Sequence, residues 1–304
     1  MARRDAGAGS LPNLIVIGAQ KCGTSSLHYY LGLHPRVQMS APKELWFFVD
    51  PEDVDAEPYL REPRERVLIG GRRNWARGLD WYRGHFDPRA AVRGESTPGY
   101  ASPWFPGVAE RMRGAVPDAR LIFLARDPIE RMVSHYVQLR KMGREWRPID
   151  RALGGPESVY LGRSRYARSL RPFLESYPAE RILFLRQEEL RSDRRRVVGE
   201  TFAFLGLEDF WDPRMERERH PSEAKGRRHE LLIRIQESPL SRPLYRLPQE
   251  VKWGVEKLAY RRTPEPRPEL SPELERELRE RLAPDIAELE GITGWDLSDW
   301  KRAT

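Results

Sequence analysis

Three stretches of the chain are apolar at every position: Leu14-Ile15-Val16-Ile17, Leu121-Ile122-Phe123-Leu124-Ala125 and Ile182-Leu183-Phe184-Leu185. A strand with one wet face alternates, so the first two runs predict strands covered on both faces, as in a parallel sheet, and the third, within Arg181 to Leu185, a further strongly apolar strand. Beyond the first two runs the period changes. Leu27, Tyr30 and Leu31 follow the first at helical spacing, and Met132 and Val133 follow the second on a predicted helix opened by Asp127-Pro128. There Asp127 suits the N-cap and Pro128 the first helical position. Val92 to Ser96 reads as a further strand, and Val37 to Ser40 as a short extended piece before Ala41-Pro42-Lys43-Glu44 and the aromatic run Leu45-Trp46-Phe47-Phe48. Strands alternating with helices predict an α/β fold, a three-layer αβα sandwich around a central parallel sheet.

Further helices are expected over Leu79–Phe86, through Leu170, Phe173 and Leu174, and up to Leu207 with Gly206 as the cap. Ser271-Pro272-Glu273-Leu274 opens a last one, capped by its serine and carrying acids in its first turn. Its stripe of Leu274, Leu278, Leu282, Ile286 and Leu289 suits docking on the body of the protein. The predicted organisation is a flexible tail over residues 1–11 and a single domain over 12–304. Within that domain, 50–90 forms a lid or acceptor region, and 263–304 a helical extension behind a Pro-rich connector.

Composition narrows the class. With 304 residues, 33% charged and 39% hydrophobic, the chain can bury a sizeable core and is not disordered overall. No apolar run is long enough to span a bilayer, so no integral membrane segment is expected. The charged N-terminus MARRDAGAGS is not followed by a signal-type apolar region. A lone cysteine, Cys22, excludes an intrachain disulfide and points to a reducing cytoplasm. The net charge of +7 suits an anionic ligand, a nucleic acid or a solvated surface equally.

The candidate chemistry sits where the apolar runs end. Gly18-Ala19-Gln20-Lys21-Cys22-Gly23 joins a strand to a helix beginning Thr24-Ser25-Ser26, an arrangement that points backbone N–H groups and a helix dipole at an anion. The phosphate loop of nucleoside triphosphatases, GxxxxGK[ST], places its lysine after the second glycine. Here Lys21 stands inside the loop and Thr24 follows Gly23, which suits a shorter anion held by hydroxyls and amides. The alternative is a plain glycine-bounded turn. Arg126, at the end of the second run, and Ser134, about two helical turns on, can grip a second phosphate, or be a helix-initiating arginine and a surface serine. Glu44 is either a solvated loop residue or a carboxylate on a cleft wall. Glu223 to His229 includes a basic Lys225-Gly226-Arg227 turn, another phosphate candidate.

Together these stretches resemble the sulfotransferases that use 3′-phosphoadenosine-5′-phosphosulfate. Gln20 to Leu27 resembles their 5′-phosphosulfate loop, and Arg126-Asp127-Pro128-Ile129-Glu130-Arg131-Met132-Val133-Ser134-His135-Tyr136 their 3′-phosphate motif. Pro42-Lys43-Glu44 with Phe47-Phe48, Gly94 to Pro98, and Tyr177 to Leu190 extend the likeness over roughly 13–230, closer to the glycan branch than to the phenol and steroid branch.

The resemblance implies a P-loop-like fold and sulfuryl transfer to a hydroxyl or amine of a glycan or small-molecule acceptor, with 3′-phosphoadenosine-5′-phosphate as product and no metal. It implies donor contacts from Lys21, Cys22, Gly23, Thr24, Ser25, Ser26, Arg126 and Ser134. Tyr166 is implied against adenine, and Lys225, Gly226 and Arg227 against the nucleotide. Glu44 is the implied base, and Lys43 beside it either assists Lys21 or holds an anionic acceptor. Among the histidines His28, His85 and His135, His85 is the reserve base, since the other two lie on predicted helices where packing is the plainer reading. A disulfide that precedes the Lys-Gly-Arg turn in secreted relatives cannot form here. A P-loop kinase would account for the first motif alone. A nucleic-acid-binding module would account for the charge, but no recognition motif supports nucleic acid as a partner.

Overall fold

The computed structural model describes residues 10–50, 74–141, 145, 147–156, 158–216, 227–228, 260–261 and 267–302. Five strands form one parallel sheet: β1 Leu14–Gly18, β2 Val37–Met39, β3 Val92–Ser96, β4 Arg120–Ala125 and β5 Ile182–Arg186, in the order β2-β3-β1-β4-β5. The apolar runs of β1 and β4 are buried throughout, because each strand has neighbours on both sides and helices on both faces. β5 is an edge strand, so its apolar run is only partly covered. Leu183 and Phe184 remain partly exposed, and Trp295 from the C-terminal segment lies edge-on to Phe184.

The helices are α1 Thr24–Leu31, α2 Gly78–Arg83, α3 Gly107–Ala115, α4 Pro128–Lys141, α5 Ile149–Leu153, α6 Val159–Gly162, α7 Tyr166–Ser176, α8 Gln187–Ser192, α9 Arg194–Phe204, α10 Pro272–Thr293 and α11 Ser298–Lys301. A short antiparallel pair, β6 Arg227–Arg228 and β7 Tyr260–Arg261, lies apart from the main sheet. α4 starts as expected: the Asp127 carboxylate accepts the Glu130 N–H at 2.9 Å and Pro128 follows it. α10 buries Leu278, Leu282, Ile286 and Leu289 against α7 and α4. Ser271 takes its N-cap position but makes no side-chain cap bond, a correction to the expected serine cap.

Chain order reverses at β1, whose neighbours are β3 and β4, and ligands of open α/β sheets bind at such a crevice outside the carboxyl ends of the strands. Gly18, the last residue of β1, is required by packing. A Cβ there would stand 2.8 Å from Phe123 Cε2 and 2.9 Å from Ala101 Cβ. Of the expected lid, residues 51–73 lie outside the described residues. The remainder is no free flap: Tyr82 and Phe86 are buried, and Tyr82 stacks on Phe47 with ring centroids 4.2 Å apart.

Candidate anion-binding active site

The loop between β1 and α1 is anchored to β4 by Ala19 N–H donating to the Leu124 carbonyl at 2.8 Å. Lys21 has φ 70° and Gly23 φ 92°, so the backbone turns through left-handed conformations at both. Glycine adopts this at little cost, whereas a lysine held there is a strained choice that points to a functional site. Turns of this kind gather successive N–H groups on one side and make anion-binding concavities. α1 then begins with neither a side-chain cap nor an acid in its first turn, which leaves its leading amides for a ligand.

Buried cations surround the loop. Arg131 on α4 is fully buried, and donates from Nε to Ser164 Oγ at 2.7 Å and from Nη2 to the Tyr160 carbonyl at 2.8 Å. Arg163, just before α7, donates to the Gln20 side chain in the loop. Both escaped the sequence reading. The available signal was an arginine inside the inward face of α4, between Ile129 and Met132. His135 is pushed well below the ordinary histidine range, first by burial and then by Arg131, Arg163 and Lys21. The imidazole is therefore neutral, and the surrounding field is positive.

Cys22 is buried beside Tyr166, with Sγ and the hydroxyl 3.5 Å apart. Burial pushes its thiol up to about 11, against the pull of Tyr166, Arg131 and Arg126. Burial thus favours the thiol over the thiolate at neutral pH, which argues against a nucleophilic role. Native protein at pH 8 is expected to resist iodoacetamide and to become modified in denaturant. Stoichiometric labelling of the native protein, read by mass spectrometry, would show this placement to be wrong.

Arg126 follows β4 directly and pairs with Glu130 at 2.7 Å, while Ser134 is buried two turns along α4. Tyr166, the expected adenine contact, is buried. Its ring is 1% exposed, edge-on to Phe123 and Trp300, and its hydroxyl donates to the Arg126 carbonyl at 2.9 Å. Tyr166 ties α7 to both motifs, through Cys22 and Arg126.

Glu44 lies beyond β2 at the same edge of the sheet. Its carboxylate accepts from Lys43 Nζ at 3.1 Å and from Trp46 Nε1 at 3.2 Å, and it is partly exposed. The loop is fixed by Thr97, immediately after β3, whose Oγ1 accepts the Leu45 N–H at 3.1 Å. The Trp46 ring covers Gly99, where a Cβ would overlap it. Nearby Glu95 is fully buried and pushed up to about 8 by that burial, which favours its neutral form at pH 7.

His28 of α1 approaches Ser96 Oγ at 2.9 Å. It is lowered to about 4 by burial and then by Lys43, which makes it a weaker proton acceptor. His85, the expected reserve base, bonds the Trp81 carbonyl at 2.9 Å and lies edge-on to the Trp81 ring, which ties it to α2. Lys225 and Gly226 lie outside the described residues, and of Arg227 only the backbone pairing with Arg261 is described.

Comparison with known proteins gives a consistent result. The profile of the sulfotransferase family matches residues 12–213. A membrane-associated sulfotransferase of Dictyostelium discoideum is 34% identical over 129 residues, covering 41% of this chain and 22% of that protein. The mouse heparan sulfate glucosamine 3-O-sulfotransferase 6 is 30% identical, covering 64% of this chain and 52% of the relative. The chain thus spans about half or less of the length of these curated relatives. A sulfotransferase from Alicyclobacillus acidocaldarius superposes with a TM-score of 0.62 at 25% identity, over 96% of this chain and all of that one. The expected cytoplasmic location is corrected by the membrane-associated relative. A single cysteine rules out an intrachain disulfide but does not report a compartment. Among the described residues no helix is long and apolar enough to cross a membrane.

Proposed function

The chain belongs to the sulfotransferase family, and on that premise we propose that it moves a sulfuryl group from 3′-phosphoadenosine-5′-phosphosulfate to a hydroxyl or amine of a carbohydrate acceptor. One observation carries the reading: the β1–α1 loop and the β4–α4 junction, the two motifs with anion chemistry, meet at adjacent strand ends. The residues present fit such a donor, with a cationic amide-rich loop for the 5′ end and an arginine–hydroxyl pair for a second phosphate. The heparan sulfate relative supports a glycan acceptor.

The donor supplies an activated sulfuryl group and a leaving nucleotide that gains negative charge. Lys21 and the amides from Gly23 to Ser25 are aimed at that charge, in a field already positive from Arg131 and Arg163. Thr24 and Ser26 add hydroxyls to the same cradle. Arg126 and Ser134 distinguish a 3′-phosphorylated nucleotide from an ordinary one. Glu44, partly exposed, accepts the acceptor's proton. Lys43 holds the Glu44 carboxylate in place and offers a cation to an anionic sugar.

Calorimetry tests the reading at the donor. 3′-Phosphoadenosine-5′-phosphate is expected to bind more tightly than ADP by about 2–4 kcal/mol, roughly 30- to 1000-fold, without magnesium. Equal affinities or a strict magnesium requirement would favour a kinase-like site instead.

A further inference from the structure

The second anion motif has an electrostatic difficulty of its own. Arg126, assigned to a phosphate dianion, is followed in the same turn by two carboxylates, Asp127 and Glu130. Glu130 Oε2 already holds Arg126 Nη2 at 2.7 Å. Two uncompensated carboxylates beside an incoming phosphate would repel it and compete for its arginine.

Both are compensated by arginines from one distant segment. Arg267 Nη2 lies 2.7 Å from Glu130 Oε1, on the side of that carboxylate away from Arg126. Arg279 of α10 donates from Nη1 to Asp127 Oδ2 at 3.1 Å, leaving Asp127 Oδ1 to cap α4. Arg279 is itself held firmly. It is buried, bonded through Nε to Glu275 at 2.9 Å and through Nη1 to the Trp300 carbonyl at 2.7 Å.

Trp300 in turn lies edge-on to Tyr166, whose hydroxyl holds the Arg126 carbonyl. The segment 267–302 therefore touches the motif through Glu130, Asp127 and Tyr166. All of it lies beyond residues 12–213, over which the family profile matches.

We propose that the C-terminal segment is part of the donor site, with Arg267 and Arg279 as positioning residues that neutralise Glu130 and Asp127 so that Arg126 accepts the 3′-phosphate. The inference rests on the donor assignment above. It adds a specificity element contributed from outside the matched region.

The test compares two nucleotides on the full chain by calorimetry: 3′-phosphoadenosine-5′-phosphate, and adenosine 5′-phosphate, which lacks the 3′-phosphate. Arg279→Met is expected to weaken the first about tenfold while leaving the second within about twofold. Arg267→Ala, more exposed, should act in the same direction by about threefold. Asp127→Asn keeps an oxygen to cap α4 but removes the charge, so adding it to Arg279→Met should restore most of the lost affinity. Arg171→Ala breaks the Arg171–Glu288 pair between α7 and α10 and should leave the ratio unchanged, as docking alone would predict for every variant.

Equal weakening of both nucleotides by Arg279→Met, or no weakening, overturns the proposal. So does a double variant that regains nothing. If Arg279→Met does not fold, Arg279→Gln carries the same comparison, because its amide can still donate to the Trp300 carbonyl while the charge is lost. A wild-type chain that binds both nucleotides equally would instead overturn the donor assignment, and this proposal with it.

Discussion

Lys21→Met should lower kcat by about 10²–10³ while changing the affinity for 3′-phosphoadenosine-5′-phosphate only several-fold, the range typical of removing one preorganised donor aimed at developing charge. The asymmetry follows from where Lys21 sits. It occupies a left-handed backbone position inside the loop, close enough to His135 to help hold that imidazole neutral. A cation fixed in this way costs no reorganisation when charge develops on the leaving oxygen, and it is needed less for a product whose phosphates are already held elsewhere. Methionine keeps most of the side chain's length and apolar contact, so the loss measured is mainly that of the ammonium. Steady-state kinetics and product-nucleotide calorimetry on the same variant separate the two quantities. A variant that loses only donor affinity and turns over normally at saturation would remove Lys21 from the transition state.

Glu44→Gln should reduce turnover by roughly 10²–10⁴ with nucleotide affinity within a few-fold, because the amide keeps the shape and loses the basicity. The structure makes this substitution informative. A glutamine carbonyl can still accept the Trp46 Nε1–H, so the loop position survives, whereas the ion pair with Lys43 is lost. That pair is partly solvated and worth about 0–1 kcal/mol, too little to produce the expected kinetic loss. Near-normal turnover would return the base to another group. His85, the reserve base, is then the next residue to substitute, since burial and Lys43 make His28 a weaker proton acceptor.

Much of this protein is legible from local sequence. Continuous apolar runs foretold β1 and β4, and Asp127-Pro128 foretold the start of α4, since strand burial and helix capping are written in neighbouring residues. The anion loop was legible for the same reason: Gly18, Lys21 and Gly23 stand within one turn, and their conformational demands are local.

What the local pattern could not determine was which side of each element another part of the chain would cover. The apolar run of β5 looks like the other two, yet it became an edge strand because strand order is a property of the whole sheet. Nothing local in the sequence shows that α11 and β4 close over Tyr166 through Trp300 and Phe123. That Arg131 and Arg163 are buried around the loop follows from packing, not from their sequence neighbours. The pairing of Arg279 with Asp127 crosses 152 residues of chain. By itself the sequence determined the strands, the anion loop and the chemistry of its side chains. Which carboxylates are neutralised, which aromatic is buried and which histidine stays neutral were decided only by tertiary packing, because desolvation and charge pairing depend on neighbours in space rather than along the chain.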